Sequence, residues 1–459
     1  MARGRKRDRH DLLVRGGRVV SGRDVFDADV AVSGGTVAAI GPDLDVRAER
    51  TIDASDRYVL PGILDVHTHP VYLDDMEGLS VTAAHGGVTT LVHYAYAKPG
   101  SGLLETIRRF REDGESGSVL DFALHGGLFD PKSQSHEIPD AIGEGVTSFK
   151  MFMTYAKLGW MTDDYQLMRT LDIIARAGGL GMVHAENGLA TDYLQDRVLE
   201  EGRDPRAAFV ETRPAVLEAE AIHRAIAIAR VADCPLYVPH MTAALGIEEV
   251  ARARAAGRRV YAETCPQYLT LTDDDLLRLG PLLKIGPPLR DEADRLALWT
   301  ALSDGVLDTV ASDHAPKEKR IDDDFAAAPY GSPQAETMLP LVFDEGVRAE
   351  RITWPRLVRL MCENPARIFG LYPKKGVLQP GSDADLVIFD PKAEWTIRRD
   401  DLHSRAPYTA YEGRPCVGKA ITSIQRGEVV LEDGRLVARP GRGRFHRTAA
   451  GRADVGDLS

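Results

Sequence analysis

The sequence predicts an α/β protein, a closed (β/α)8 TIM-like barrel with a small β-sandwich domain built from both chain ends. Between residues 58 and 316, eight apolar, strand-like runs alternate with helix-like segments, the pattern of parallel βαβ units. The flanks, residues 11–57 and about 376–440, carry short β patterns with turn signals instead, such as VAVSGGTVAAIG and GEVVLEDGRLVA. The chain's 459 residues exceed the usual single compact domain and leave material for a barrel with additions.

In order, the eight runs are GILDVHTH, TTLVHYAY, DFALHGGL, SFKMFMTY, LGMVHAEN, PLYVPHMT, RVYAETCPQYL and DTVASDHAP. Among the connecting helices, ETIRRFRED (105–113), EAEAIHRAIAIARVA (218–232) and DEADRLALWTALSDG (291–305) place apolar residues at helical spacing. The expected organisation is a disordered basic tail over 1–10, a sandwich over 11–57 and 376–440, and a barrel over 58–375. Residues 441–459, rich in Gly and Arg, are expected to form a free tail or an arm on a neighbouring subunit.

Composition narrows the partners. Lys and Arg total 57 against 69 Asp and Glu, a net charge of -12, which argues against a general nucleic-acid or anionic-membrane surface and for a small molecule. The four cysteines, Cys234, Cys265, Cys362 and Cys416, are far apart and form no CxxC pair, so neither a disulfide framework nor a thiolate zinc site is expected. The basic N-terminus precedes no apolar h-region, and no stretch reaches the length of a membrane span. A cytoplasmic protein is the expectation.

In a parallel barrel, functional groups collect at the C-terminal ends of the strands. The fourth run, TSFKMFMTY, holds Lys150 among Phe149, Met151, Phe152 and Met153, where an unpaired ammonium loses its hydration. It either reaches the surface, pairs with a carboxylate, or serves chemistry. The first run ends in His67-Thr68-His69, whose histidines are two apart and so share a strand face, an arrangement that suits two imidazoles on one metal. His184, His240 and Asp313 end runs five, six and eight. Singly, each has an ordinary reading: an HxH pair by chance, core histidines, a helix N-cap at Asp313. Six candidate ligands at strand ends of one barrel point together to a metal site. His85, His93, His125, His136, His223 and His314 lack this placement and read as structural.

The set PGILDVHTH, SFKMFMTY, MVHAEN, VPHMT, AETCPQYL, GPPLR and SDHAP, with a closing GSDADLVIFDP, resembles the cyclic amidohydrolases: dihydropyrimidinases, hydantoinases, allantoinases and dihydroorotases. The likeness covers roughly residues 11–445. It implies that Lys150 is carboxylated by CO2 and that the carbamate bridges two divalent metals, zinc or else manganese or cobalt. His67, His69, Asp313 and the carbamate would hold one metal, and the carbamate, His184 and His240 the other. The implied reaction is attack of a metal-bridging hydroxide on a ring C–N amide bond, with Asp313 as proton carrier and Tyr155 as donor to the developing oxyanion. The resemblance also implies a homotetramer or homodimer, PGRGRFHR being similar to a segment placed near subunit contacts.

Departures bear on the substrate. After the HxH the chain reads Pro70-Val71-Tyr72-Leu73-Asp74-Asp75, lacking the Glu-Pro-Gly run of dihydroorotases and allantoinases, and short and acidic where hydantoinases carry a longer apolar loop. Tyr155 favours the hydantoinase and dihydropyrimidinase branch. Gly286 stands where that branch often has serine, and Tyr330 where it often has asparagine, both in the expected ring-binding part. The leading expectation is a hydantoin or dihydropyrimidine hydrolase; the alternatives are an allantoinase- or dihydroorotase-like enzyme, or a non-catalytic dihydropyrimidinase-related scaffold.

Overall fold

The computed structural model of the chain describes residues 9–458. The first eight residues of the expected tail lie outside that range, whereas Arg9 and His10, also expected to be disordered, belong to the first strand.

The N-terminal flank forms β1 (Arg9–Val20), β2 (Val25–Ser33), β3 (Thr36–Gly41), β4 (Arg47–Asp53) and β5 (Tyr58–Pro61). β2 and β3 form a hairpin across Gly34 and Gly35, at φ 58° and 78°; a tight hairpin turn of this hand needs positive φ at both positions, which glycine adopts without strain.

The barrel follows as β6 (Ile63–Thr68), β7 (Val88–Ala97), β8 (Asp121–Leu128), β9 (Ser148–Phe152), β10 (Leu180–His184), β11 (Leu236–Val238), β12 (Val260–Thr264) and β13 (Thr309–Val310). All eight runs are strands, paired in sequence order and in parallel, and a bridge from Thr68 to His314 joins the two ends. The three helices expected from periodicity span Leu103–Gly117, Ala215–Ala232 and Glu292–Asp304. The last is delimited as its sequence dictates: the Asp291 carboxylate accepts the Asp294 N–H, and Gly305 closes it at φ 84°.

Period two sorts the barrel side chains into two cores. Phe149, Met151, Leu236 and Val238 join the layer packed under the helices, while Val92, Tyr94, Phe152, Leu180, Met182, Tyr237 and Tyr261 fill the interior. Lys150, between Phe149 and Met151, therefore shares the interior face with Phe152.

The second flank, β14 (Leu386–Thr396), β15 (Pro415–Gln425), β16 (Glu428–Glu432) and β17 (Arg435–Leu436), joins the first through antiparallel pairing of β14 with β5, in register Val59 to Ile388. One nine-stranded, mostly antiparallel sheet results, around its own core of Leu12, Val14, Val30, Val32, Leu386 and Ile388.

The C-terminal segment does not trail free. Phe445 bridges to Phe122, the His446 N–H donates to the Phe122 carbonyl at 2.7 Å, and the Leu458 carbonyl accepts from Asn364 at 3.0 Å, so the segment covers the chain's own barrel. Its anchor lies at the N-terminal end of β8. There the Lys375 ammonium, buried, contacts Asp121 and Asp385 at 2.7 Å and Asp383 at 2.9 Å, while Asp121 also takes Arg426, His446 at 3.0 Å and the Arg444 N–H at 3.0 Å. This network joins barrel, sheet and C-terminal segment. Lys375→Met strands three carboxylates around an uncharged side chain, and we expect a loss of about 3–5 kcal/mol, measured by chemical denaturation with metal content unchanged in the folded fraction.

Candidate metal centre

At the opposite end of the barrel the six candidate ligands converge, each by a different backbone route. Lys150 and His184 project from β9 and β10. In β6 the pairing register slips between Asp65 and Thr68, a device that re-aims side chains; His67 lies within the slip and His69 just beyond it. His240 and Asp313 stand beyond their short strands, at φ 43° and 50°. Left-handed backbone at a residue other than glycine costs on the order of 1–3 kcal/mol and persists where surrounding structure enforces it. Asp313 starts no helix, so the N-cap reading fails.

Lys150 Nζ lies 3.1 Å from His67 Nε2. Asp313 Oδ1 lies 2.9 Å from His69 Nε2 and 3.2 Å from His67 Nε2, and one ligand atom from each of these three residues falls within 4.8 Å of the others. The His240 ring centre is 4.6 Å from that of His184 and 5.3 Å from that of His67. His69, Lys150, His184, His240 and Asp313 line one cavity of about 500 Å³, with His67 beneath it.

Electrostatics prepare these groups as donors. Burial first, then Lys150, holds His67 and His240 well below the usual imidazole range, and burial also lowers His69 and His184. Neutral imidazoles keep a lone pair. Burial likewise brings the Lys150 ammonium down to about 8, against the opposing pull of Asp313 and Glu263.

The neighbouring core histidine His125 looks different. It satisfies both ring nitrogens, on Ser148 Oγ at 2.6 Å and the Val66 carbonyl at 3.0 Å. His69 Nδ1 and His240 Nδ1 have no partner among the described residues despite burial. Four neutral imidazoles, a carboxylate and a depressed amine around one cavity are a donor set that fits divalent cations.

Sequence reading missed the residues that orient this set. Glu263 accepts from His67 Nδ1 at 2.6 Å, from the His240 N–H at 3.2 Å and from the Tyr237 hydroxyl at 2.6 Å, so the His67 Nε2 lone pair faces the centre. Asp65 accepts the Ser312 N–H at 3.0 Å and fixes the segment leading to Asp313. Glu186 accepts from His184 Nε2 at 2.7 Å and from Arg213 at 2.8 Å. Glu263 and Asp65 carried the same signal as Lys150, a charge inside an apolar strand; Arg213, in a loop, carried none. The short acidic loop after the HxH also gains a reason. Asp74, fully buried, accepts from His314 at 2.8 Å and from Ser404 at 2.6 Å, and Asp75 caps the helix Met76–His85.

The residues 198–430 match the model of the amidohydrolase family. Over 455 residues the chain is 39% identical to a D-hydantoinase of Rhizobium radiobacter, covering 95% of this chain and 98% of that protein. The chain belongs to the amidohydrolase family. Within the family its relatives are of the hydantoinase and dihydropyrimidinase branch: an L-hydantoinase of Paenarthrobacter aurescens is 35% identical over 95% of this chain and 97% of its own. The crystal structure of dihydropyrimidinase from Brevibacillus agri superposes with a TM-score of 0.92 at 36% identity, over 96% of this chain and 99% of that one. Amidohydrolases of this kind use a dinuclear metal centre, for which the donors above are the candidates in this chain.

The two positions expected to depart from the branch, Gly286 and Tyr330, lie against each other. Tyr155 follows β9 in a loop, at φ 66°, rather than ending the strand. A Cβ at Gly286 would lie 3.2 Å from the Tyr155 hydroxyl and 3.3 Å from the Tyr330 ring. The Tyr330 hydroxyl in turn accepts from Arg213 at 3.0 Å, which restrains the ring. Gly286 thus leaves the room that Tyr330 takes. Gly286→Ser is expected to lower turnover in the native background and to be tolerated beside Tyr330→Asn, a double-mutant coupling of about 0.5–3 kcal/mol; additive effects would show the two sites to be independent.

Proposed function

We propose that this chain is a dinuclear metal-dependent hydrolase that opens a cyclic amide or ureide ring of the hydantoin or dihydropyrimidine type. The observation that carries the reading is Lys150, an amine buried against His67 inside a constellation of imidazoles and one carboxylate, in a chain related to hydantoinases over nearly its full length. His67, His69 and Asp313 would hold one cation, and His184 and His240 the other. Lys150 would serve both as a carbamate: its neutral amine would bond to the carbon of CO2, lose a proton to water, and end as a carboxylate on a long arm. Zinc suits these nitrogen and oxygen donors, as do manganese and cobalt. When bound, such a pair of cations acidifies water and polarises a carbonyl.

The remaining work falls to side chains. Asp313, within 3.2 Å of two histidines, takes the proton of the attacking water and delivers it to the leaving ring nitrogen. The Tyr155 hydroxyl lines the cavity; burial raises its pKa well above the usual phenol range, so it stays protonated and donates to the carbonyl oxygen as charge develops there. Gly286 and Tyr330 shape the ring-binding wall beside it. Cytoplasmic location and assembly into two or four copies belong to the same reading and rest on the family likeness; no helix among the described residues is long and apolar enough to cross a membrane.

Ring opening assayed across dihydrouracil, hydantoin, 5-substituted hydantoins, allantoin and dihydroorotate tests the assignment. At least one hydantoin or dihydropyrimidine should be opened faster than dihydroorotate and allantoin; the opposite ranking would overturn it.

A further inference from the structure

The cavity carries positive charge that the fold leaves unbalanced. Lys284 and Lys317 line it, together with Lys157 and Arg213. The last two are neutralised, Lys157 by Asp196 and Arg213 by Glu186. Lys284 Nζ donates only to the Phe325 and Ala326 carbonyls, each at 2.8 Å. Lys317 Nζ lies 3.1 Å from the centre of the Tyr72 ring, and the buried Lys319 Nζ donates to the Lys284 carbonyl at 3.1 Å. Among the described residues none of these three ammoniums has a carboxylate in contact. Of the acidic groups nearby, Asp313 is committed to His67 and His69 and Asp192 to the surroundings of Lys157, Asp324 attracts Lys284 without touching it, and Glu318 is exposed to solvent.

Carbonyls and an aromatic face solvate a cation but do not neutralise it. Burial draws Lys284 and Lys317 down to about 8 and Lys319, next to both, to about 7. Three such lysines beside one cavity, in a chain of net charge -12, mark a place that an anion would complete. Their positions follow from the site: Lys284 precedes Gly286 by two residues, and Lys317 and Lys319 follow Asp313 by four and six. An ammonium on a flexible stem accommodates a carboxylate at varied reach, where a guanidinium would demand fixed bidentate geometry.

We propose that the ring opened by this enzyme carries a carboxylate substituent, which docks between Lys284 and Lys317. The inference rests on the ring-opening reading above and adds the class of side chain. It is tested with a pair of 5-substituted hydantoins of matched shape, one ending in a carboxylate and the other in the carboxamide. Metal-loaded wild type, Lys284→Met, Lys317→Met and Lys317→Glu are compared at low and high salt. In wild type the acid should be favoured in kcat/KM by at least about tenfold, mainly through KM, and less so as salt rises. Each methionine variant should bring the ratio close to one, and Lys317→Glu should invert it. Because each protein is compared with itself, partial loss of folded enzyme cancels. A wild-type ratio of one or below, or a ratio untouched in both methionine variants, overturns the proposal while ring opening stands. Failure to open either compound, or unsubstituted hydantoin and dihydrouracil, removes the ring-opening reading and this inference with it.

Discussion

The arrangement turns on one buried amine. Lys150 sits in the interior of a strand whose neighbours are Phe149, Met151 and Phe152, with its Nζ 4.5 Å from the centre of the Tyr94 ring and 3.1 Å from a neutral imidazole. An ammonium is poorly served there, since aromatic faces and lone pairs compensate only part of its lost hydration. Loss of the proton relieves that cost, and the proposed reaction with CO2 would turn the same side chain into an anion, which four imidazoles cannot stabilise unaided. Divalent cations can. Depressed amine, neutral histidines and a lone aspartate are thus a mutually consistent set.

The next layer holds that set in place. Glu263 binds His67 by its ring and His240 by its backbone, tying β6 to the segment after β11 through a residue of β12. Asp65 clamps Ser312, next to Asp313. His314, on the other side of Asp313, is held through Asp74 to Ser404, beyond the barrel. Each candidate ligand that departs from regular strand backbone has such an anchor close by, which is how positive φ at His240 and Asp313 is sustained.

Much of this was legible in the sequence. The eight strands could be read because parallel barrel strands are buried on both faces and so appear as continuous apolar runs bounded by helical periodicity, against which Lys150, His67, His69 and His184 stand out. The reading overran the strand at its end: Met153, Thr154 and Tyr155, apolar, β-branched and aromatic, prolong the pattern, yet the chain leaves the sheet after Phe152. The C-terminal segment misled through composition, because glycine and arginine suggest mobility, whereas the Arg442 guanidinium donates to Gln425 and to the Val119 carbonyl and the Arg444 backbone N–H donates to Asp121. Arg213 and the pairing of Gly286 with Tyr330 depend on loops that meet only in three dimensions, and no local pattern announces them.

The most direct test of the central claim is metal content and turnover of Lys150→Ala and Lys150→Arg. Guanidinium stays protonated and cannot take up CO2. With Lys150 as a carbamate, both variants lose bound metal and hydrolysis together while the barrel still folds, and a small carboxylic acid supplied to Lys150→Ala restores part of the activity. A Lys150→Arg protein that keeps its metal and most of its rate would contradict the account, because a conserved positive charge, not a carbamate, would then be what the site requires.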